Sequence, residues 1–559
     1  MRKIRIVSQV VFFVLFVSTF FLIVRYPTGY TLPAPWMLRL NPLVSLTTSV
    51  AARTIILPIA VMGLAMTLLT IVFGRFFCGF VCPLGACIDF SDRYVVGKAR
   101  SPKRRPPAYL RRLKYVLLIL VAVTAVFGAV FPLFMDPISL LTRITTLVVN
   151  PLLRVVKADA VQAGRILGFD RLNTVVVDVP LVYGTAGALL LAVVVFAGGF
   201  WDRRFWCQYV CPSGAFFGLL GRYAPFRRTV RAESCNSCKR CTRCCPTRAI
   251  DPEKVERTAL PECIVCGQCT DLKQGCSRFT FVKPVRGATD GADLRRRNLL
   301  VGAAGGLALL PLFRSNALSR RTEHGRLIRP PGALPEDQFL ARCIACGNCM
   351  KACPTQALQP CSSDDGLHRL FTPKLVPRVG ACEDSCHLCG YTCPTGAIRR
   401  LPHDDKEFAK IGTAVLDRHR CLAWSQNKEC LVCDEVCPYN AIEARVEQTT
   451  KGPFKVPVVF EDYCIGCGMC EHHCPISVQA AIVVYSFGEN RRAHGPYASE
   501  RQKSAIRERR RKSDAHLSVT GPQEQDMPPH SPEQLPPGFD PGPAESGSTE
   551  TDLPPGFLE

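Results

Sequence analysis

Hydrophobic positions along the chain gather into continuous runs instead of alternating or heptad patterns. The runs are Val7–Val24, Ile55–Phe73, Tyr115–Phe134, Thr185–Phe200 and Leu299–Phe313. The first four approach the roughly 20 residues that a spanning helix needs. They predict an α-helical membrane domain of four spans over residues 1–222. Between the second and third runs lie Lys98, Arg100, Lys103, Arg104, Arg105, Arg111, Arg112 and Lys114. Basic residues flank spans on the cytoplasmic side, so this segment and the N-terminus with Arg2, Lys3 and Arg5 are expected there. Segments 25–52 and 135–180 are then periplasmic, and the chain returns to the cytoplasm at Trp201.

The fifth run is shorter, 15 residues from Leu299 to Phe313, and lies in mid-chain. Arg296 and Arg297, one polar residue and two leucines lead into it, which is the grammar of a twin-arginine export signal. Residues 291–314 are therefore expected to form an internal signal and anchor helix. An ordinary fifth spanning helix with a basic flank is the alternative, and both readings place the domain after it outside the cytoplasm. The segments 223–290 and 315–490, which carry repeated cysteine motifs, are expected to be two α+β ferredoxin-like polycluster domains. Residues 491–559 are basic and then rich in Pro, Gly, Ser and acidic residues, which predicts a disordered tail.

Composition changes this picture in two ways. The net charge of +23 comes from residues beside apolar runs and in the tail, so it reads as topology and not as a nucleic-acid surface. The 31 cysteines are spaced as iron–sulfur motifs and not as a disulfide scaffold. Cys235, Cys238, Cys241 and Cys245 form C-x2-C-x2-C-x3-C before Pro246, and Cys263, Cys266, Cys269 and Cys276 come next. In a two-cluster ferredoxin the fourth cysteine of each run serves the other cluster. That predicts Cys276 with Cys235, Cys238 and Cys241, and Cys245 with Cys263, Cys266 and Cys269. Zinc also takes C-x2-C pairs, but it does not need a fourth cysteine before proline. After residue 315 come Cys343, Cys346, Cys349 and Cys353; Cys382, Cys386, Cys389 and Cys393; Cys421, Cys430, Cys433 and Cys437; and Cys464, Cys467, Cys470 and Cys474. These 24 cysteines predict six [4Fe–4S] clusters.

Two further half-motifs stand at the ends of the second and fourth runs. Arg75-Phe76-Phe77-Cys78 continues to Cys82-Pro83, and Arg204-Phe205-Trp206-Cys207 continues to Cys211-Pro212, a constant offset of 129 residues. The membrane region therefore reads as two equivalent helix pairs. Cys78, Cys82, Cys207 and Cys211 either hold one more centre together or form two redox or structural thiol pairs. Cys87, Cys244 and Cys361 are left without a motif. His387, His472 and His473 sit in loops already complete in cysteine and are not expected to be ligands. Asp136 and Asp178 are carboxylates near the expected periplasmic ends, able to take a proton or simply to stabilise structure.

The first 290 residues resemble NapH-type membrane ferredoxins in their four runs, paired C-x3-C-P repeats and two-cluster domain. Residues from about 293 to 485 resemble the twin-arginine-exported four-cluster ferredoxins of the NapG and MauM type. The x3 and x8 gaps in their second and third motifs fall where that family varies. The resemblance implies a fusion of the two, in a bacterial inner membrane, that oxidises quinol from the membrane pool and passes electrons to a periplasmic reductase or cytochrome. It also implies cluster pairing of the first outer motif with the fourth and the second with the third. Cys474 would then join Cys343, Cys346 and Cys349; Cys353 the Cys464 motif; Cys437 the Cys382 motif; and Cys393 the Cys421 motif. No terminal catalytic constellation, phosphate loop or dinucleotide fingerprint is visible, so a quinol dehydrogenase or electron-transfer subunit is expected. Related membrane ferredoxins also suggest the alternative of a redox factor in metalloenzyme maturation, for copper or for a reductase. The twin-arginine machinery is an expected partner and nucleic acid is not.

Overall fold

The computed structural model describes residues 1–22, 36–96, 108–167, 184–272, 276–282, 296–314, 325–449 and 451–508. Met1–Ile506 form one compact unit, and Arg507–Glu559 fall in a second. Asp178, Leu294, Arg295, the basic 97–107 stretch and residues 509–559 lie outside the described residues.

Each apolar run forms a helix: Arg2–Leu22, Leu57–Phe73, Leu113–Val126, Thr185–Ala197 and Arg296–Arg314. The third is shorter than the run that predicts it. Gly128, at φ 84°, reverses the chain just after Val126, and Ala129 N–H donates to Thr124 O at 2.9 Å. Only glycine takes that conformation without a Cβ penalty. Among the described residues two helices are long and apolar enough to cross a membrane, Arg2–Phe21 and Pro137–Ile166; Leu57–Phe73, Thr185–Phe200 and Leu299–Ala308 are apolar but shorter. Pro137–Ile166 gives the segment 135–180, expected to be periplasmic, a long and half-buried helix that the apolar runs do not announce. Asp136 caps this helix by accepting from Ser139 N–H at 3.1 Å, and Pro137 opens it. A π-turn occupies Thr145–Val149.

Large apolar residues lie between the helices, such as Phe16, Ile59, Met66 and Leu118, and also on their outer faces. Val7, Val10 and Val14, Val61, Leu64 and Leu68, and Leu190, Val193 and Val194 are all exposed. Helix Arg296–Arg314 packs closely along Leu113–Val126. A Cβ on Gly302 would meet Ile119 Cβ at 2.9 Å, and one on Gly306 would meet Val123 Cγ1 at 2.9 Å. Glycines four residues apart let helix backbones approach in this way.

The two cysteine-rich parts sit at opposite ends of the same helices. At one end, Phe73 packs on Phe226 and Phe281, and Met1 lies against Gly267. These contacts belong to the 223–282 part, whose strands β1 (Phe226–Val230) and β2 (Ser277–Phe281) pair antiparallel from Phe226↔Phe281 to Val230↔Ser277. At the other end, Arg342 donates to Thr54 Oγ1 at 3.1 Å, just before Leu57–Phe73 begins. Lys351 Nζ lies 5.3 Å from the Phe20 ring centroid, at the far end of the first helix. Phe371 packs at Gly187 as Thr185–Ala197 begins.

The outer part contains the pairs β3–β4 (Leu358–Pro360 with Pro373–Leu375), β5–β8 (Thr413–Leu416 with Ile482–Tyr485) and the hairpin β6–β7 (Ile442–Thr449 with Gly452–Val459). Composition assigns residues 491–506 to a disordered tail, but they pack on this part. Tyr497 and Ala498 join a core with Leu401, Phe408 and Ala409, and Lys503 pairs with Asp405 at 2.8 Å. Glu336 ties the segment in, reaching Arg329 at 2.7 Å, Arg369 at 3.1 Å and Arg491 at 2.7 Å.

Burial alone would raise the Glu336 carboxyl, but Arg329 and Arg491 outweigh it and hold it down to about 2. A carboxyl lowered on folding stabilises the fold above its unfolded value of about 4.3, and that contribution disappears as the pH falls towards the folded value. Glu336→Gln should cost about 1–3 kcal/mol at pH 7, discounted from the fully buried case for its partial exposure. The urea midpoint at pH 7 should fall, and the difference from the parent protein should shrink between pH 5 and pH 3.

Candidate functional site

The cluster loops share one backbone device. In the regular C-x2-C-x2-C runs, the residue before the second cysteine and the residue after it both take positive φ. These are Ser237 and Lys239, Val265 and Gly267, Ala345 and Gly347, and Gly466 and Gly468. Alternating backbone hand turns successive N–H groups into a concavity that suits anions and iron–sulfur clusters. Val265 and Ala345 hold this conformation without glycine's freedom, a strain of about 1–3 kcal/mol each. The run with the x3 gap, Cys382 to Cys389, has no such residue between its cysteines. Outside the loops, Cys245 Sγ accepts from Ala249 N–H at 3.3 Å, Cys437 Sγ from Ala441 N–H at 3.4 Å and Cys464 Sγ from Ala414 N–H at 3.3 Å. Hydrogen bonds of this kind tune cluster potentials.

In the inner part several of the cysteines expected to meet do so. Cys276 lies beside Cys241, and Cys245 beside Cys263, Cys266 and Cys269. The outer part corrects the crossed pairing. Cys393, not Cys474, stands beside Cys343, Cys346 and Cys349, and Cys353 stands beside Cys382, Cys386 and Cys389. Cys474 lines one hollow with Cys421, Cys430 and Cys433, and Cys437 lines another with Cys464, Cys467 and Cys470. The reason is local packing. Helix Asn348–Ala352 packs on Leu388–Tyr391, and Val432–Glu435 packs on Met469–His473, so each motif exchanges its last cysteine with its neighbour in sequence.

Among the described residues no three of these groups converge on a single metal ion. In a [4Fe–4S] core each of four thiolates takes a separate iron. Burial pushes the Cys346 thiol up to about 12 and the Cys386 thiol up to about 11. Metal binding must therefore displace protons, and it contributes to folding.

The two half-motifs also meet. Cys207 lies beside Cys78, and Cys82 and Cys211 each lie beside both. Helices Pro83–Tyr94 and Pro212–Leu220 start at the second cysteine of each repeat. Cys82 Sγ accepts from Gly85 N–H at 3.4 Å, and Cys211 Sγ from Gly214 N–H at 3.2 Å. The arginines are exchanged between repeats. Arg204 donates to Cys78 O at 2.9 Å and Gly85 O at 3.4 Å, while Arg75 donates to Cys207 O at 3.5 Å. Each guanidinium is shared with a carboxylate. Arg204 binds both oxygens of Asp89 at 2.7 Å, and Asp89 also pairs with Arg5. Arg75 reaches Glu262 at 3.2 Å, and Glu262 accepts from Lys114 at 2.6 Å.

Two stretches carry matches to a 4Fe-4S binding domain family, 55–104 and 183–232, one around each half-motif. A 4Fe-4S dicluster domain matches 428–478, and a second 4Fe-4S binding domain matches 340–359. The methylamine utilization ferredoxin-type protein MauM of Methylorubrum extorquens is 40% identical over 201 residues, 34% of this chain and 88% of the relative. The ferredoxin-type protein NapG of Escherichia coli is 37% identical over 199 residues, 34% of this chain and 84% of the relative. The chain belongs to the MauM/NapG family of ferredoxin-type proteins. It is also similar, at 24% identity over 222 residues, to the ferredoxin-type protein NapH of Escherichia coli, of which it spans 62%. It is an iron–sulfur, ferredoxin-type electron-transfer protein that holds multiple [4Fe–4S] clusters. The dicluster match at 428–478 agrees with the neighbouring-motif pairing seen in this MauM/NapG-type part.

Other cysteines and histidines have ordinary surroundings. Cys361 is buried against Arg329 Nη1 at 3.7 Å. His472 and His473 bond through Nδ1 to Pro377 O and Met469 O. The sequence alone gives no role to Arg75, Arg204, Asp89, Glu262 or Arg143. The signal for the first two was present, because each stands three residues before the first cysteine of its repeat.

The pairing has a direct test by iron analysis. In a Cys343→Ser background, adding Cys393→Ser should remove no further iron, since both serve one centre. Adding Cys474→Ser instead should remove about four more irons, one cubane.

Proposed function

We propose that this chain is a membrane-bound quinol-oxidising electron-transfer protein that delivers electrons to a periplasmic reductase or cytochrome. It joins a NapH-type part to a MauM/NapG-type part in one polypeptide of the bacterial inner membrane. Six [4Fe–4S] clusters are held by the 24 motif cysteines. The inner two face the cytoplasm, and the outer four are exported by the twin-arginine route through Arg296 and Arg297. Helix Arg296–Arg314 then stays as an anchor against Leu113–Val126.

One observation carries this reading: the two cluster parts cap opposite ends of the same apolar helices. Phe73 meets the inner part at one end of Leu57–Phe73, and Thr54 meets the outer part before its other end. The apolar side chains turned outward between those ends suit lipid better than water.

The chain's own residues build a path between the ends. Asp136, fully buried, accepts from Ser213 Oγ at 2.7 Å and from Asn41 Nδ2, joining the second half-motif to the far side of the bundle. Arg143, also fully buried, donates to Ala345 O at 2.8 Å within the first outer cluster loop. Its charge acts on Cys343 and Cys346. A fixed cation beside a cluster favours the reduced, more negative state. The clusters supply one-electron chemistry; the protein sets their spacing, their dry surroundings and their local charge.

The test is anaerobic reduction of the detergent-purified chain by a quinol analogue, followed by EPR. Reduced-cluster signals without added dithionite are expected. A full iron complement with no reduction by quinol would overturn the reading and favour a role in metalloenzyme maturation.

A further inference from the structure

The half-motif site is built for more than two separate thiol pairs. We propose that Cys78, Cys82, Cys207 and Cys211 ligate one shared [4Fe–4S] centre, two ligands from each repeat, lying between the inner and outer cluster sets. Three independent observations lead there. The first is symmetry. The two repeats contribute equivalent groups, with each second cysteine accepting a backbone N–H at a helix start and each arginine crossing to the other repeat. A Cβ on Gly214 would meet Arg75 Nη2 at 2.9 Å, so this glycine makes room for the other repeat's arginine; at the equivalent Gly85, Arg204 Nη2 would stand at 3.6 Å. Two independent thiol pairs would need no such exchange.

The second is charge. Arg75, Lys114 and Glu262 form one buried group, and Arg204, Arg5 and Asp89 form the other. Each has two cations and one carboxylate, with Asp92, which accepts from Arg204 N–H at 2.8 Å, beside one and Arg111, whose charge acts on Glu262, beside the other. Arg75 and Arg204 are 1% and 0% exposed, and both act directly on Cys78 and Cys207. Asp136, a further carboxylate at the site, acts on Cys211 and is offset by Arg143. Buried guanidinium groups favour a negative partner, which neither four protonated thiols nor two disulfides would supply. Four thiolates around an oxidised cubane carry two negative charges, facing Arg75 and Arg204.

The third is position. Gly79, inside the first half-motif, packs against Ile264 O in the inner loop of Cys263, Cys266 and Cys269. Gln208 donates to Pro246 O, beside Cys245, at 3.2 Å. On the other side Ser213, two residues after Cys211, leads through Asp136 to Arg143 and the outer loop. Cys346 belongs to the same buried core as Cys82, Cys207 and Cys211. The centre would pass single electrons between its neighbours. The donor loses one electron and the acceptor gains one, with no bond made or broken.

The inference is independent of the identity of the electron donor, and iron analysis tests it without turnover. The anaerobically purified full chain should hold about 28 irons and as much labile sulfide, seven cubanes in place of six. The double variant Cys78→Ser/Cys211→Ser should hold about 24 and lose one spectral component, while Cys87→Ser keeps the full complement. About 24 irons in the parent chain would overturn the proposal, as would zinc or copper bound in place of the extra iron. If the double variant fails to accumulate, the parent chain's iron count decides alone. A seventh centre that quinol cannot reduce would leave this assignment standing while removing the quinol reading.

Discussion

The exchange of two buried arginines between the repeats is the contact on which the bundle depends. Arg75 and Arg204 each lie inside the structure with almost no exposure, and each donates to backbone carbonyl oxygen in the opposite repeat. Guanidinium groups this deep are tolerable only with partners fixed around them. Their carboxylates arrive from distant segments. Asp89 comes from the helix after the first half-motif, and Glu262 comes from the inner cluster domain. One pair of charges thus fastens the two halves of the bundle to each other, and the other fastens the inner domain to the bundle.

The outer part is secured differently. Its first cluster loop lies against the bundle, through Arg143 to Ala345 O and Lys351 to Asn150 Oδ1 at 2.7 Å. Its core interleaves apolar side chains such as Phe339, Leu358, Phe371 and Ile482 with the cysteine loops, so thiolate–metal bonds would add to what apolar burial supplies. The Glu336 network then closes the C-terminal segment over the domain, with one carboxylate serving three arginines.

Much of this was legible in the residues. Each apolar run lies in a helix, and matches to 4Fe-4S binding domains fall on cysteine motifs at 340–359 and 428–478. The ligand exchange in the outer part was not legible, because spacing identifies a motif without saying which neighbour it folds against. That is decided by packing between short helices such as Asn348–Ala352 and Leu388–Tyr391. Helix Pro137–Ile166 is hidden in the sequence because its second half carries Arg154, Lys157, Asp159 and Arg165, which dilute the apolar signal of its buried first half. Residues 491–506 look like tail by composition, yet Arg491 and Lys503 are ion-pair partners and Tyr497 is core. Partners far apart in sequence, such as Glu262 for Arg75, leave no local trace.

The central claim is that one chain conducts electrons between clusters at the two ends of a single helical bundle. It is tested most directly in proteoliposomes of known orientation, with a membrane-impermeant reductant confined to the inner-domain side and rapid-freeze EPR tracking the outer clusters. The account predicts that the outer clusters become reduced without any quinone present. Outer clusters that stay oxidised while the inner ones are fully reduced would contradict it.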